Sequence, residues 1–366
     1  FQGLKGHDAG CYLYGRHFNP TVYNLGLQLA ALEGTEAAYC AASGMGAIAA
    51  TILALTSCGD HIVASNAVYG GTYALMHDFL REKCDIRTTF LDITDLDAVR
   101  DAITDETTVV YAESVANPTL RVANIPELAE IAHKAGAKLV IDNTFSPLIL
   151  SPVALGADVV VHSITKFISG MSDVIAGAVC GRREFIESLM DLHAGPLMLL
   201  GPTMDPNIAS SVSLRIPHLP LRMVAHGERA LALVQRLESL GVGVCYPGLA
   251  SHPDHDLFNE LRSSEYGYGG VLTVDVGDAE TANELMSHLQ NEQRFGYLAV
   301  SLGYFDTLMS CSGSSTSSEL ADEDKNAAGI SPGLVRLSIG YTGTLEQRWR
   351  QLYSALEDVG QVARRR

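Results

Sequence analysis

The chain has 366 residues, 47% of them apolar and 18% charged, with a formal net charge of −17. That length suits a large domain plus a smaller one, and the acidic balance, whose only basic cluster is Arg364-Arg365-Arg366, argues against an electrostatic grip on nucleic acid. No apolar stretch reaches about 18 uninterrupted residues, so no membrane span is expected, and seven cysteines without a C-x-x-C pair suit reduced, mostly buried thiols in a cytoplasmic compartment.

In chain order, the first informative segment is Ala41-Ala42-Ser43-Gly44-Met45-Gly46-Ala47, which runs into an apolar helical stretch. Its N–H groups can meet a phosphate at a helix N-terminus; it matches neither G-x-G-x-x-G nor the P-loop pattern, and a plain tight turn is the competing reading. A strand is expected over 61–64, a helix over 73–83, strands over 86–91 and 108–113, a helix over 125–135, and strands over 138–142 and 158–163. Continuous apolar runs alternating with amphipathic helices predict a parallel sheet covered on both faces, an α/β architecture. In such sheets the chemistry sits at the carboxyl ends of strands, where Glu113, Asp142 and Ser163 fall. One long helix over 219–240 is expected to bridge to a second unit. There, strands over 270–276, 299–302 and 335–339 and helices over 279–289 and 345–359 predict a smaller α+β domain, with the Ser-rich 310–318 as a loop inside it. Expected domains are therefore a large one over 21–218 and a C-terminal one over 219–366.

Lys166 carries the strongest chemical signal. A lysine flanked by Ser163 and Thr165 at one strand end, with Asp142 closing an earlier strand, is what pyridoxal phosphate requires: an amine to hold its carbonyl carbon, hydroxyls for its phosphate and an anion for its ring nitrogen. An arbitrary lysine is usually just exposed, and Asp142 alone could be a turn residue; their order with the Ser43-Gly44-Met45 segment reverses those odds. Tyr69, beside Gly70 and Gly71, can stack on a flat cofactor and carry a proton. The histidines and cysteines lack metal-ligand spacing, so no metal is expected, and His162 is read as a core residue.

The segments Tyr14-Gly15-Arg16-His17-Phe18-Asn19-Pro20-Thr21, Ser43-Gly44-Met45, Val68-Tyr69-Gly70-Gly71-Thr72, Glu113-Ser114, Asn117-Pro118, Asp142-Asn143-Thr144-Phe145 and Ser163-Ile164-Thr165-Lys166 together resemble the Cys/Met-metabolism pyridoxal-phosphate enzymes. The resemblance implies a fold-type I, aspartate-aminotransferase-like subunit with a mainly parallel seven-stranded sheet, assembled as a homotetramer of two dimers. It implies that Lys166 holds the cofactor covalently, Asp142 meets its ring nitrogen, Tyr69 stacks on the ring and Asn117 bonds the ring hydroxyl. Ser43, Gly44, Met45, Thr144, Ser163 and Thr165 would complete the cofactor site, with Tyr14 and Arg16 reaching over from the partner subunit. Arg336 would clamp the substrate carboxylate beside Ser301, Val300 and Tyr14. An N-terminal arm over 1–20, shorter than is usual in the family, would contact the partner.

Cystathionine-handling members carry a glutamate just before the serine of an S-L-G motif. Here Val300-Ser301-Leu302-Gly303 places an apolar residue there, which suits a methyl thioether and would leave a distal ammonium unpaired at a cost of about 1–3 kcal/mol. Segments 300–320 and 329–334 resemble plant-type methionine γ-lyases, implying γ-elimination of methionine. Gly71 departs from the cysteine of many bacterial and protist members and matches the cystathionine branch. Cystathionine, homocysteine and O-acyl-homoserine replacement thus remain alternatives, with a non-catalytic binding protein a remote one.

Overall fold

The computed structural model describes residues 12–311, 325 and 329–363. Cys11, the Arg364–Arg366 cluster, most of the Ser-rich loop and the start of the expected N-terminal arm lie outside the described residues. A seven-stranded sheet, in the order β1-β7-β6-β5-β4-β2-β3, is built from β1 (Ala37–Ala41), β2 (His61–Ser65), β3 (Arg87–Leu91), β4 (Thr107–Glu113), β5 (Lys138–Asp142), β6 (Val159–His162) and β7 (Gly177–Gly181). The pairs from β6 to β3 are all parallel, and β7 runs antiparallel to both its neighbours. Helices α1 (Pro20–Glu33), α2 (Gly44–Leu55) and α3 (Ile125–Lys134) cover it. Alternate residues of the strands feed two cores: Val110, Ala112 and Val160 enter the one that includes α1 and α3, while Val109, Tyr111 and Val161 enter the one that includes α2. Burial on both faces is why these strands are apolar throughout instead of alternating.

Helix α4 (Leu219–Ser239) leads to a five-stranded sheet, β10-β11-β12-β9-β8, formed by β8 (Gly243–Cys245), β9 (Val271–Asp275), β10 (Gly296–Leu298), β11 (Thr307–Cys311) and β12 (Leu334–Ser338). Apolar residues of α4, α5 (Ala279–Ser287) and α6 (Leu345–Asp358) pack with it in a third core. Most expected elements lie within a few residues of their observed bounds. One does not: β10 ends at Leu298, and 299–302 leave the sheet after Ala299 N–H bonds Met309 O at 2.9 Å. The reason is competition from β12, whose Arg336 donates to Ser301 O at 2.9 Å and whose Ser338 hydroxyl accepts Gly303 N–H at 2.9 Å. The expected 73–83 helix forms with a widened π turn over Leu75–Phe79. Among the described residues no helix is long and apolar enough to cross a membrane.

Candidate active site

The carboxyl ends of β4, β5 and β6 and the start of α2 wall one side of a cavity of about 270 Å³; Val300, Leu302 and Arg336 of the second unit wall the other. Asp142 ends β5 and is buried. Its Oδ1 accepts the Thr144 N–H at 3.0 Å and the Thr144 hydroxyl at 2.5 Å, and that hydroxyl accepts the Ser163 N–H at 2.8 Å. Thr144, expected to bind cofactor, therefore spends its hydroxyl on orienting Asp142, although it also lines the cavity. Burial pushes the Asp142 carboxyl up; the Thr144 bonds and the nearby His162 ring pull it back.

Glu113, which ends β4, is the residue whose role the sequence left unassigned. Its Oε1 accepts the Tyr69 N–H at 2.7 Å and its Oε2 the Asn117 N–H at 2.8 Å. Separate donors on each oxygen favour a carboxylate, whereas burial, then Asp142, push its pKa upward. Glu113 thereby fixes the backbone of two expected cofactor ligands. The only available signal was an acid closing the apolar run Val109-Val110-Tyr111-Ala112. Tyr69 lines the cavity, and a Cβ on Gly71 would come within 2.7 Å of Tyr69 Cε1, so glycine leaves the ring its place.

Lys166 follows β6, and its Nζ donates to Ser301 Oγ at 3.1 Å. Burial, with the Arg336 charge second, lowers its pKa to about 8, so a neutral amine able to attack a carbonyl is accessible near neutrality. Ser301 reaches Lys166 because Gly303 lies directly on the lysine turn, where a Cβ would stand 2.5 Å from Phe167 N. Arg336 is fully buried in β12; Nη1 donates to Asn117 Oδ1 at 3.0 Å and Nη2 to Ser301 O at 2.9 Å. Burial lowers its pKa to about 10, opposed by Glu113. Val300, 67% exposed, lines the same cavity.

Ser43 caps α2, its Oγ accepting the Gly46 N–H at 2.9 Å, so the N–H groups of Gly44 and Met45 in the first turn have no carbonyl inside the helix to bond. A Cβ on Gly44 would meet Ser163 Cβ at 2.8 Å, so the two loops close into one cradle. The Ser163 hydroxyl has no protein partner among the described residues, whereas the Thr165 hydroxyl bonds the Ala176 N–H at 3.0 Å and carbonyl at 3.2 Å. Tyr14 and Arg16 do not line this cavity: Arg16 Nη1 donates to Met198 O at 2.8 Å, and Tyr14 is exposed.

The donor set fits pyridoxal phosphate. A helix N-terminus and the Ser163 hydroxyl provide for the phosphate, a buried carboxyl provides for the ring nitrogen, and a desolvated lysine amine provides for the carbonyl carbon.

The Cys/Met metabolism PLP-dependent enzymes match this chain over residues 2–346. Methionine gamma-lyase of Arabidopsis thaliana is 58% identical, over 97% of this chain and 81% of its own. L-methionine gamma-lyase of Pseudomonas putida is 38% identical, over 92% of this chain and 83% of its own. Among solved structures, cystathionine gamma synthase from Xanthomonas oryzae pv. oryzae in complex with cystathionine superposes with a TM-score of 0.89 at 34% identity, over 96% of this chain and 88% of that one.

Proposed function

The chain belongs to the Cys/Met metabolism PLP-dependent enzymes, and within that family we propose that it cleaves L-methionine by γ-elimination, consuming water and releasing methanethiol, 2-oxobutanoate and ammonia. The observation that carries this reading is the acid content of the cavity wall. Its carboxylates are Glu113 and Asp142, both at the strand ends, and Val300 stands on the opposite wall. A thioether fits beside that valine, whereas a distal ammonium would find no carboxylate on that wall among the described residues of this chain. The identity to methionine gamma-lyases, over most of the chain, supports the same choice.

When bound, pyridoxal phosphate supplies an acceptor for negative charge developing at the substrate α-carbon. Asp142 is placed to keep its ring nitrogen cationic, while the first turn of α2 and Ser163 hold its phosphate. Arg336 receives the substrate carboxylate with a planar two-pronged donor. Lys166 Nζ would hold the cofactor covalently and is placed to take the proton from the substrate Cα and then from Cβ. Tyr69 gives a proton to the departing sulfur. Release of 2-oxobutanoate, measured in parallel from methionine, cystathionine, homocysteine and O-acetylhomoserine, tests the assignment; cystathionine or the ester outrunning methionine would overturn it.

Val300→Glu is expected to move the preference toward cystathionine by about 1 kcal/mol, roughly fivefold in relative kcat/KM, because a carboxylate at this largely exposed position pairs a distal ammonium and gains nothing from a thioether. An equal fall for both substrates would remove Val300 from specificity.

We also infer a homotetramer of two dimers, with Tyr14 and Arg16 completing the neighbour's site, and a division into 21–218 and 219–366. What supports the shared site is that neither residue reaches its own chain's cavity. Mixing inactive Arg16→Ala and Lys166→Ala subunits under exchange should restore about a quarter of parental activity, since half the dimers are hybrid and each holds one intact site. No recovery with proven exchange would refute sharing. A cytoplasmic location is supported by the free thiols of Cys40, Cys58, Cys84, Cys180 and Cys245 among the described residues.

A further inference from the structure

Behind the cavity, on the opposite face of the large sheet, lies a second polar cluster that the reaction does not touch. Glu33, the last residue of α1, is buried at 5% exposure, and His162 at 2%. Glu33 Oε1 meets His162 Nε2 at 2.7 Å and accepts from Asn143 Nδ2 at 3.2 Å. Asn143 Nδ2 also donates to Leu150 O at 3.0 Å, and its Oδ1 accepts the Ser146 hydroxyl at 2.8 Å. Ser146 Oγ and Ser114 Oγ are 2.7 Å apart. Glu33, His162, Asn143, Ser146 and Ser114 are all buried; Glu33 Oε2 and His162 Nδ1 have no partner among the described residues, so the link between Asn143 and His162 rests on the single acceptor Glu33 Oε1, whose loss would strand two buried donors.

The members of this network adjoin the site in sequence. Asn143 follows Asp142, Ser114 follows Glu113, and His162 precedes Ser163. Because successive strand residues point to opposite faces, a side chain that anchors the back face fixes its neighbour on the front. The gap between β5 and β6 is thus bridged twice: in front by Asp142, Thr144 and Ser163, and behind by Asn143, Glu33 and His162.

We propose that Glu33 is a positioning residue for the cofactor site, setting through Asn143 and His162 the separation between Asp142 and the Ser163–Lys166 turn. Its essential property is an acceptor oxygen at that point. The proposal rests on the assignment of Asp142 and Lys166 to the cofactor; whether borohydride traps cofactor on Lys166 in the parent protein tests the Lys166 part of that assignment independently.

The test compares Glu33→Ala and Glu33→Gln holoenzymes with the parent by equilibrium dialysis of bound pyridoxal phosphate, by kcat and KM for methionine, and by Tm. Glu33→Ala should weaken cofactor retention and lower kcat by about tenfold each, since misplacement by about 1 Å can cost about a hundredfold. KM should change by less than about threefold, because Arg336 and Ser301 sit on the other unit. Glu33→Gln keeps the acceptor and should recover both to within about threefold of the parent. Should Glu33→Ala not fold, Asn143→Ala, which removes the link nearest Asp142, carries the same expectation. A fall in Tm with retention and kcat unchanged would show packing alone and overturn the proposal. Glu33→Gln as impaired as Glu33→Ala would overturn it too, since charge and not the acceptor would then be what matters.

Discussion

Lys166→Ala should lose turnover by about a thousandfold or more, because no other group in the cavity can both hold the cofactor covalently and carry the substrate protons. Its visible absorbance should change from that of lysine-bound to free cofactor, and borohydride should no longer trap cofactor on the chain. The fold should survive, since the amine donates to Ser301 Oγ, a partly exposed hydroxyl that can turn to water. In the parent, the lowered pKa of about 8 gives a pH signature. The reactive neutral amine is the minor form below that value and the major form above it, so cofactor uptake should accelerate through pH about 8, not above 10 where an ordinary lysine deprotonates. Turnover near the parental rate in the alanine variant, with cofactor still trapped elsewhere, would take Lys166 out of its role.

The legible parts of this molecule were those where one local pattern had one physical cause. An apolar run closed by an acid, as at 108–113 and 138–142, marks a strand buried on both faces with its carboxyl end in a polar site, and β4 and β5 end at Glu113 and Asp142. Strands β1 and β7, Ala37–Ala41 and Gly177–Gly181, gave no such signal. Their alanine and glycine are poor strand formers, and only the sheet around them makes them strands. That Ser301 and Arg336 would meet Lys166 was expected from family resemblance alone, since Lys166 and Ser301 are 135 residues apart in the chain. The Glu33–His162 pair, 129 residues apart, had no local pattern at all: His162 looked like core, as it is, but nothing in its run named its partner. The 299–302 segment, an apolar run, looks like strand, but its Ser301 carbonyl is claimed by Arg336 and the N–H of the following Gly303 by Ser338.

Arg336→Lys should lower kcat/KM for methionine by about 3 kcal/mol, roughly 150-fold, with most of the loss in KM. The guanidinium is fully buried and already braced at both ends, Nη1 on Asn117 Oδ1 and Nη2 on Ser301 O. Bracing fixes the plane of the fork before substrate arrives, so little side-chain entropy is lost when a carboxylate binds. A lysine keeps the charge but is a single point donor; it cannot hold Asn117, Ser301 and a carboxylate in one plane, and at least one of those oxygens is left unsatisfied in a dry site. Keeping the positive charge matters for the comparison, because Arg336 also offsets the upward push on the Glu113 carboxyl. A neutral replacement would disturb Glu113, and through it Tyr69 and Asn117, confounding substrate binding with cofactor binding. With lysine, cofactor retention should stay near the parental value while KM rises. If retention falls as far as KM rises, Arg336 serves chiefly to brace Asn117 and the 301–303 turn, and the carboxylate must be held by another group.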